Sequence, residues 1–416
     1  MKETFIKIED LIIRKLLLKV FIVVILNSWI TPLFAQYFYP LNGFAIEVSL
    51  ENTDLKRLPI YRNSISSLKV VGDFIIGGTS ANEGLSPYIF VASLSERKVI
   101  SIQDLNNIVS GQQSIQSGFC RGKNHILFAG TIINNSNITN ASSAGGHLIQ
   151  VKIGTKGTID IKDLGIPVSG EGVYSLICNT PGTMLYGISY PSGLFFAYNI
   201  KTGKTRIFKD IAPSKKDIDT LEQYILKPLD YLCRSLIQDD EGLIYGSQPI
   251  NKLFYFNPKD ESFHILKNSL PTVWGLMMLG RVDSWAKSKD GKLYGGNAGD
   301  GQLFVIDPST KKVRNLGKPI MMNGLRGLTF GRDGKLYGVA GAPPGYVHLF
   351  SYDHENGFYD FGNPEFEMAA APGIEQGINW RGFNISTIAS SEDGKYVVMG
   401  EDEALSQLLI YTVEGK

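Results

Sequence analysis

The stretch Asp290-Gly291-Lys292-Leu293-Tyr294-Gly295-Gly296, followed by Gly301-Gln302-Leu303-Phe304-Val305-Ile306-Asp307-Pro308 and Val313-Arg314-Asn315-Leu316-Gly317, reads as short strands separated by turns. Asp290-Gly291 supplies the positive φ that a tight hairpin needs, and the apolar runs on either side are of strand length. The unit recurs at Asp333-Gly334-Lys335-Leu336-Tyr337-Gly338 with His348-Leu349-Phe350, and at Glu241-Gly242-Leu243-Ile244-Tyr245-Gly246 with Lys252-Leu253-Phe254-Tyr255. A fourth copy is Gly182-Thr183-Met184-Leu185-Tyr186-Gly187 with Gly193-Leu194-Phe195. Weaker copies begin at Leu127-Phe128-Ala129-Gly130, Ile75-Ile76-Gly77-Gly78 and Asp393-Gly394-Lys395-Tyr396-Val397, which makes seven.

Each copy holds four strands, A to D, and four-stranded units repeating every forty to sixty residues or so are the signature of a β-propeller. The expected fold is all-β, a seven-bladed propeller with antiparallel blades. The last copy is short by one strand, since the sequence stops just after strand C. The segment Phe44 to Leu50 has no blade of its own, so it is expected to supply the missing strand beside Ser406 to Val413 and to remove two open sheet edges at once. The paired glycines of strand B are read as positions where neighbouring sheets approach closely.

These repeats resemble the secreted propellers that include the streptogramin lyases and several polysaccharide lyases. The resemblance covers nearly the whole chain after its leader, and it implies a fold. Streptogramin lyases carry a metal-assisted histidine and glutamate pair; no matching motif is found here, so their chemistry is not carried over.

Composition agrees with the fold and narrows the partners. The chain has 416 residues, 45 of them glycine, and only 19% charged side chains, a balance suited to many short strands and turns. Lys15 and Lys19 precede the apolar run Val20 to Leu26, and Leu33-Phe34-Ala35 ends in a small residue before Gln36. Residues 1–35 therefore read as a signal peptide and 36–416 as the propeller, placing the protein in the periplasm or outside the cell. A retained anchor is the alternative, because Leu16 to Leu18 lengthen the apolar stretch. The leader carries five basic and three acidic residues, so the remainder stays close to neutral, which gives no support for nucleic acid or an anionic membrane as partner. Three cysteines, Cys120, Cys178 and Cys233, lie in apolar strand patterns and read as buried small hydrophobes. A monomer without cofactor or metal is expected, since no His/Glu spacing resembles a metal site.

The A-to-B and C-to-D turns are short, whereas the B-to-C and D-to-A connections are long: Ile133 to Gly146, Asp210 to Asp230, Leu266 to Leu279 and Gly362 to Arg381. All of these fall on one face, where binding residues are expected. Aligning the copies on the Asp-Gly turn places Ser66, Ser117, Tyr174, Arg234, Asp283, Arg326 and Ser386 at one level near the top of each innermost strand. Arg234, Asp283 and Arg326 are expected to converge within salt-bridging reach, leaving a surplus positive fork for an anionic small molecule or polysaccharide. The alternative is an internal network that only ties blades four to six together. Trp274 and Trp380, with Tyr190 and Tyr346, offer aromatic faces for a sugar ring.

Two functions fit this pattern. One is recognition of an acidic carbohydrate at the channel mouth with lyase chemistry, in which Tyr174 and His147 or His348 move a proton. The other is a non-catalytic propeller that binds a protein or a cell-surface component. A quinone-dependent dehydrogenase fits less well, because its usual ring has eight blades and a calcium site that the sequence lacks.

Overall fold

The computed structural model describes residues 41–48, 63–82, 85–122, 126–133, 144–272, 280–341, 347–367, 379–382, 384–402 and 407–415. The leader expected over residues 1–35 lies outside them. No helix among the described residues is long and apolar enough to cross a membrane.

Seven antiparallel sheets form the blades. Blade one runs from Asn63–Val71 to Lys98–Asp104, and blade two from Cys120–Arg121 to Ile159–Gly165. Blades three to six begin at Gly172–Cys178, Ile237–Gln238, Val282–Lys287 and Leu325–Phe330. Blade seven comprises Ile385–Ser390, Tyr396–Glu401 and Gln407–Thr412, and its fourth strand is Gly43–Glu47. That strand pairs antiparallel with the chain's last strand, Gly43 opposite Tyr411 and Glu47 opposite Gln407. The ring is thus closed by the N-terminal segment, as the missing strand required.

The two glycines of strand B have different causes. The first faces a phenylalanine of strand C in its own blade: Gly77 opposite Phe90, Gly187 opposite Phe196, Gly246 opposite Phe254, Gly295 opposite Phe304 and Gly338 opposite Phe350. A Cβ at Gly295 would lie 2.3 Å from the Phe304 ring, and one at Gly77 2.0 Å from Phe90. The second glycine meets the next blade, as the sequence suggested; a Cβ at Gly296 would lie 2.2 Å from Leu325. Each ring is buried without residual exposure and packs between its blade and a neighbour.

The connection between blades three and four is more ordered than its length implied. It folds into helix α1 (Lys215–Gln223) and the single turn α2 (Pro228–Tyr231). Ser214 caps α1, accepting from the Asp217 amide while the Asp217 carboxylate accepts from the Ser214 amide, the reciprocal arrangement that an Ser-x-x-Asp sequence allows. Leu221, Tyr231 and Leu232 then pack over Tyr174 and Ile132.

Closure places Ile46 in the core shared by blades seven and one, against Ile65, Leu408 and Ile410. Ile46→Ala should therefore cost about 2–5 kcal/mol in chemical denaturation. A cost near zero would mean that the N-terminal strand does not fold with the ring.

Candidate functional site

A register irregularity at the top of the innermost strand builds the site. In blade five Val282 lies opposite Asn297 and Ser284 opposite Gly296, so Asp283 is the extra residue of a β-bulge. The same irregularity isolates Ser66, Tyr174, Arg326 and Ser386 in blades one, three, six and seven. A bulge re-aims one side chain without disturbing the rest of the ladder. Five of the seven aligned positions are thus the bulge residue of their strand. Ser117 and Arg234 lie three residues before the shorter strands of blades two and four, which begin at Cys120 and Ile237.

Arg234, Asp283 and Arg326 line a single cavity of about 390 Å³ along the channel, together with residues of blades one, two and seven. The ion pairing differs from expectation. Asp283, almost fully buried, is held by Arg281: Nε donates to Oδ1 at 2.6 Å and Nη2 to Oδ2 at 3.3 Å. Arg234 instead donates from Nη2 to the Ser66 carbonyl of blade one at 3.1 Å, and Arg326 from Nη1 to Asn384 Oδ1 at 3.0 Å with Asp402 at 3.9 Å. The carboxylate already has its fork, so neither neighbouring arginine is consumed by it.

Lys69 and Lys287 also line the cavity, toward its other end. Lys287 is paired with Asp240 at 2.7 Å. Lys69 has no hydrogen-bonding or salt-bridging partner among the described residues, and burial pushes its pKa below the usual lysine value. Its remaining exposure is to the channel. The cavity wall thus presents Lys69, Arg234 and Arg326, the last 3.9 Å from Asp402, besides Lys287 held by Asp240, against the single lining carboxylate of Asp283, which Arg281 already neutralises.

Tyr174 does not line this cavity. The insertion between blades three and four buries it, its hydroxyl donates to the Leu229 carbonyl at 3.2 Å, and burial pushes its pKa up, only partly offset by Arg281. It is a neutral donor there, not a base. His147 and His348 sit at equivalent places beginning strand C, and each ring meets a carboxylate of strand D, Asp163 at 2.9 Å and Asp360 at 3.0 Å. These carboxylates also accept from the amides of Gly165 and Gly362, as Asn315 does from Gly317 in blade five, where Gln302 replaces histidine. The motif pins strand D to strand C and works without an imidazole. Neither histidine lines the cavity. Trp274 and Tyr346 lie outside the described residues, as does the Trp380 side chain; its backbone pairs with Phe366 in a hairpin, Glu365–Glu367 with Asn379–Arg381. Tyr190 packs beside Tyr174, with ring centroids 6.0 Å apart.

The chain is similar in structure to a streptogramin B lyase, with a TM-score of 0.58 over 89% of this chain and 98% of the other at 10% identity. The fold is shared. It is similar as well to a catalytically inactive virginiamycin B lyase from Staphylococcus aureus with quinupristin, at a TM-score of 0.56, 10% identity and coverage of 89% and 99%. The WD40 repeats of RRP9 match with a TM-score of 0.51, 11% identity and coverage of 85% and 95%. No family model matches the sequence, and no curated protein matches it either. At such identities the likeness extends to the propeller and not to a site. Among the described residues no group of three or more histidine, cysteine, aspartate or glutamate side chains could hold a metal ion.

Two residues that alignment on one column passed over matter most here. Arg281 stands two positions before Asp283, just ahead of the strand, and its fork closes on that carboxylate; Lys69 lies lower on its strand than the aligned level. Arg281→Ala would leave the Asp283 carboxylate buried without its partner, and the expected loss is about 3–5 kcal/mol of stability by denaturant titration. For Lys69 the sign follows from its lowered pKa. The unfolded chain binds the proton more tightly, so stability rises with pH between the folded value and the ordinary 10.5, and the penalty is complete below the folded value. Lys69→Met should accordingly melt higher at neutral pH, with the difference from the parent shrinking as pH approaches 10.5. A lower melting point at neutral pH would show the ammonium to be stabilised in the channel.

Proposed function

We propose that this propeller binds an anionic ligand in the mouth of its central channel, most readily an acidic sugar unit. The observation that carries the reading is the charge of the cavity wall, where Lys69 and Arg234 have no salt-bridging partner among the described residues, Arg326 has only Asp402 at 3.9 Å, and the one lining carboxylate, Asp283, is already paired, in a chain whose formal charge is only +1. A carboxylate or sulfate entering from the long-loop face would meet Arg234 and Arg326, whose forks suit planar anions. Ser66 and Ser386 stand at the same level, and Trp285 and Phe119 supply apolar wall for a sugar's ring face. The cavity is sized for one sugar unit, which favours a chain end or a small acidic sugar over the middle of a polymer. Lys69 fits the same reading: an unpaired, desolvated ammonium is a cost to the fold, and a bound anion would offset it.

Catalysis has weaker support than binding. The solved structures that share this fold include lyases, yet Tyr174, His147 and His348 are all engaged away from the cavity. The site as built holds charge and offers no proton-transfer pair among these three residues.

Calorimetric titration with galacturonate and with galactose tests the reading. Galacturonate should bind and galactose should not. Arg326→Ala should weaken galacturonate binding by about 1.5–3 kcal/mol, the scale of a charge-assisted hydrogen bond, while the melting temperature changes little. Equal behaviour of the two sugars, or a large loss of stability in Arg326→Ala with no change in binding, would overturn it. Incubation with polygalacturonate in the same buffer separates lyase turnover, since unsaturated products would absorb in the ultraviolet.

A further inference from the structure

The C-to-D turns carry a second set of repeated contacts on the face opposite the channel mouth. In three blades the turn residue with left-handed backbone has a long side chain: Arg97 at φ 53°, Glu261 at φ 59° and Lys311 at φ 57°. Each reaches back to the preceding blade. The Arg97 guanidinium lies 4.5 Å from the Phe44 ring of blade seven, and Glu261 pairs with Arg206 of blade three. Lys311 enters a cage in blade four: its ammonium donates to the Tyr245 hydroxyl at 2.7 Å, lies 5.4 and 5.1 Å from the Tyr245 and Tyr255 rings, and is 3.8 Å from Asp239.

Blade six repeats the receiving half of that cage. Tyr337 occupies the place of Tyr245, and its hydroxyl donates to Asp333 Oδ2 at 3.0 Å, as Tyr245 does to Asp239 at 3.1 Å. The next blade in the ring is the seventh, whose strands C and D come from opposite ends of the sequence. No C-to-D turn joins them, so no turn residue can reach back to blade six, and among the described residues Tyr411 of strand C lies against Tyr337 instead. Beside these two rings lies a cavity of about 660 Å³. The position of Tyr255 is taken there by Ser351, which stands opposite Tyr337 and leaves room where blade four has a ring. Tyr411 and Phe361 form the walls, 5.7 and 6.2 Å from the Tyr337 ring, and Tyr359, 61% exposed, packs on Phe361 at 4.8 Å. Three carboxylates, Asp333, Asp353 and Glu414, border the space against one cation, Lys335, which lies 3.9 Å from Asp353.

From this we infer that the cleft between blades six and seven is a docking site for a lysine side chain presented by a partner polypeptide. Aromatic faces backed by carboxylates attract a cation and suit an ammonium. The internal example guides the choice of occupant, because the same molecule places Lys311 on the equivalent tyrosine and aspartate. Charge complementarity excludes the anion bound by the channel, and the two sites lie on opposite faces.

The test uses the full chain and two capped five-residue peptides, each with a central lysine among glycine and serine, one of them acetylated on Nε. Ligand-observed NMR titration should give saturable binding of the free-amine peptide, weakened about tenfold or more by acetylation, which removes the charge. Ser351→Tyr, which restores the ring found in blade four, and Glu414→Gln should each weaken it at least threefold or so, while Arg326→Ala leaves it unchanged. Equal binding of both peptides, absence of saturable binding, or binding that survives both cleft variants would overturn the inference. Loss in Arg326→Ala alone would assign the peptide to the channel and overturn it as well. Glu414→Gln alters an exposed position, so the test stands even if Ser351→Tyr fails to fold.

Discussion

In five of the seven blades a phenylalanine ring of strand C lies between the blade and its neighbour, and the glycine opposite that ring makes this possible, while Ala129 faces Ile149 in blade two and Met399 faces Leu409 in blade seven. Where strand B has Gly295 the ring of Phe304 lies flat over the backbone; a methyl group there would sit inside it. The ring in turn fills the space between adjacent sheets, where deleting a buried phenylalanine side chain costs about 3–5 kcal/mol. The second glycine, as at Gly296, brings the next blade's innermost strand into contact. Blade spacing is therefore set by missing side chains, both of them in blades one and five and one of the two in each other blade. With that spacing fixed, seven blades close and the innermost strands converge on a narrow channel.

The channel's chemistry depends on a smaller device built on the same frame. Innermost strands pack their alternate residues into the blade interfaces, so a regular ladder would give the axis little freedom of composition. The bulge breaks the period for one residue and frees it from packing, which is why serine, tyrosine, aspartate and arginine can occupy equivalent places. Arg234 shows the consequence, since its guanidinium crosses from blade four to the Ser66 carbonyl of blade one. Polar groups at this level tie the ring together across its middle, while the apolar interfaces tie it at the sides. Ser386, donating to the Ile65 carbonyl at 2.7 Å, and Ser66, donating to the Ile115 carbonyl at 2.8 Å, do so between adjacent blades.

The fold was legible because its determinants are local and repeated. An Asp-Gly turn, a Tyr-Gly pair and a Leu-Phe pair at near-constant spacing specify hairpins, and counting strands predicts the closing one. The level of Arg234, Asp283 and Arg326 was legible for the same reason, since equivalent positions in a ring are neighbours in space. Their ion pairing was not, because it depends on which direction a bulge turns a side chain; Arg281, two residues from Asp283, carried the available signal. The burial of Tyr174 was not legible at its own position, because it comes from a segment some fifty residues later, whose Ser214-to-Asp217 capping signal marks a helix. The two histidines shared a visible pattern with Asp163-Leu164-Gly165 and Asp360-Phe361-Gly362, which identifies them as parts of a strand-pinning turn.

Closure by the N-terminal strand has an asymmetric effect on the two faces. On the long-loop face, blade seven matches its neighbours, with a bulge at Ser386 and a carbonyl of blade one to receive it. On the opposite face the joint consists of two chain ends where other blades have a turn, so whatever that turn does elsewhere must be omitted or done differently. Between blades four and five a turn lysine neutralises a buried aspartate and covers two tyrosine rings. Between blades six and seven the corresponding rings are partly covered by each other, and burial together with Asp333 pushes the Tyr337 hydroxyl well above its usual range, so it remains a neutral donor. A ring closed in this way is continuous in its hydrogen bonding yet differs at one interface from all the rest. The irregular interface is where composition is freest to serve something other than the fold.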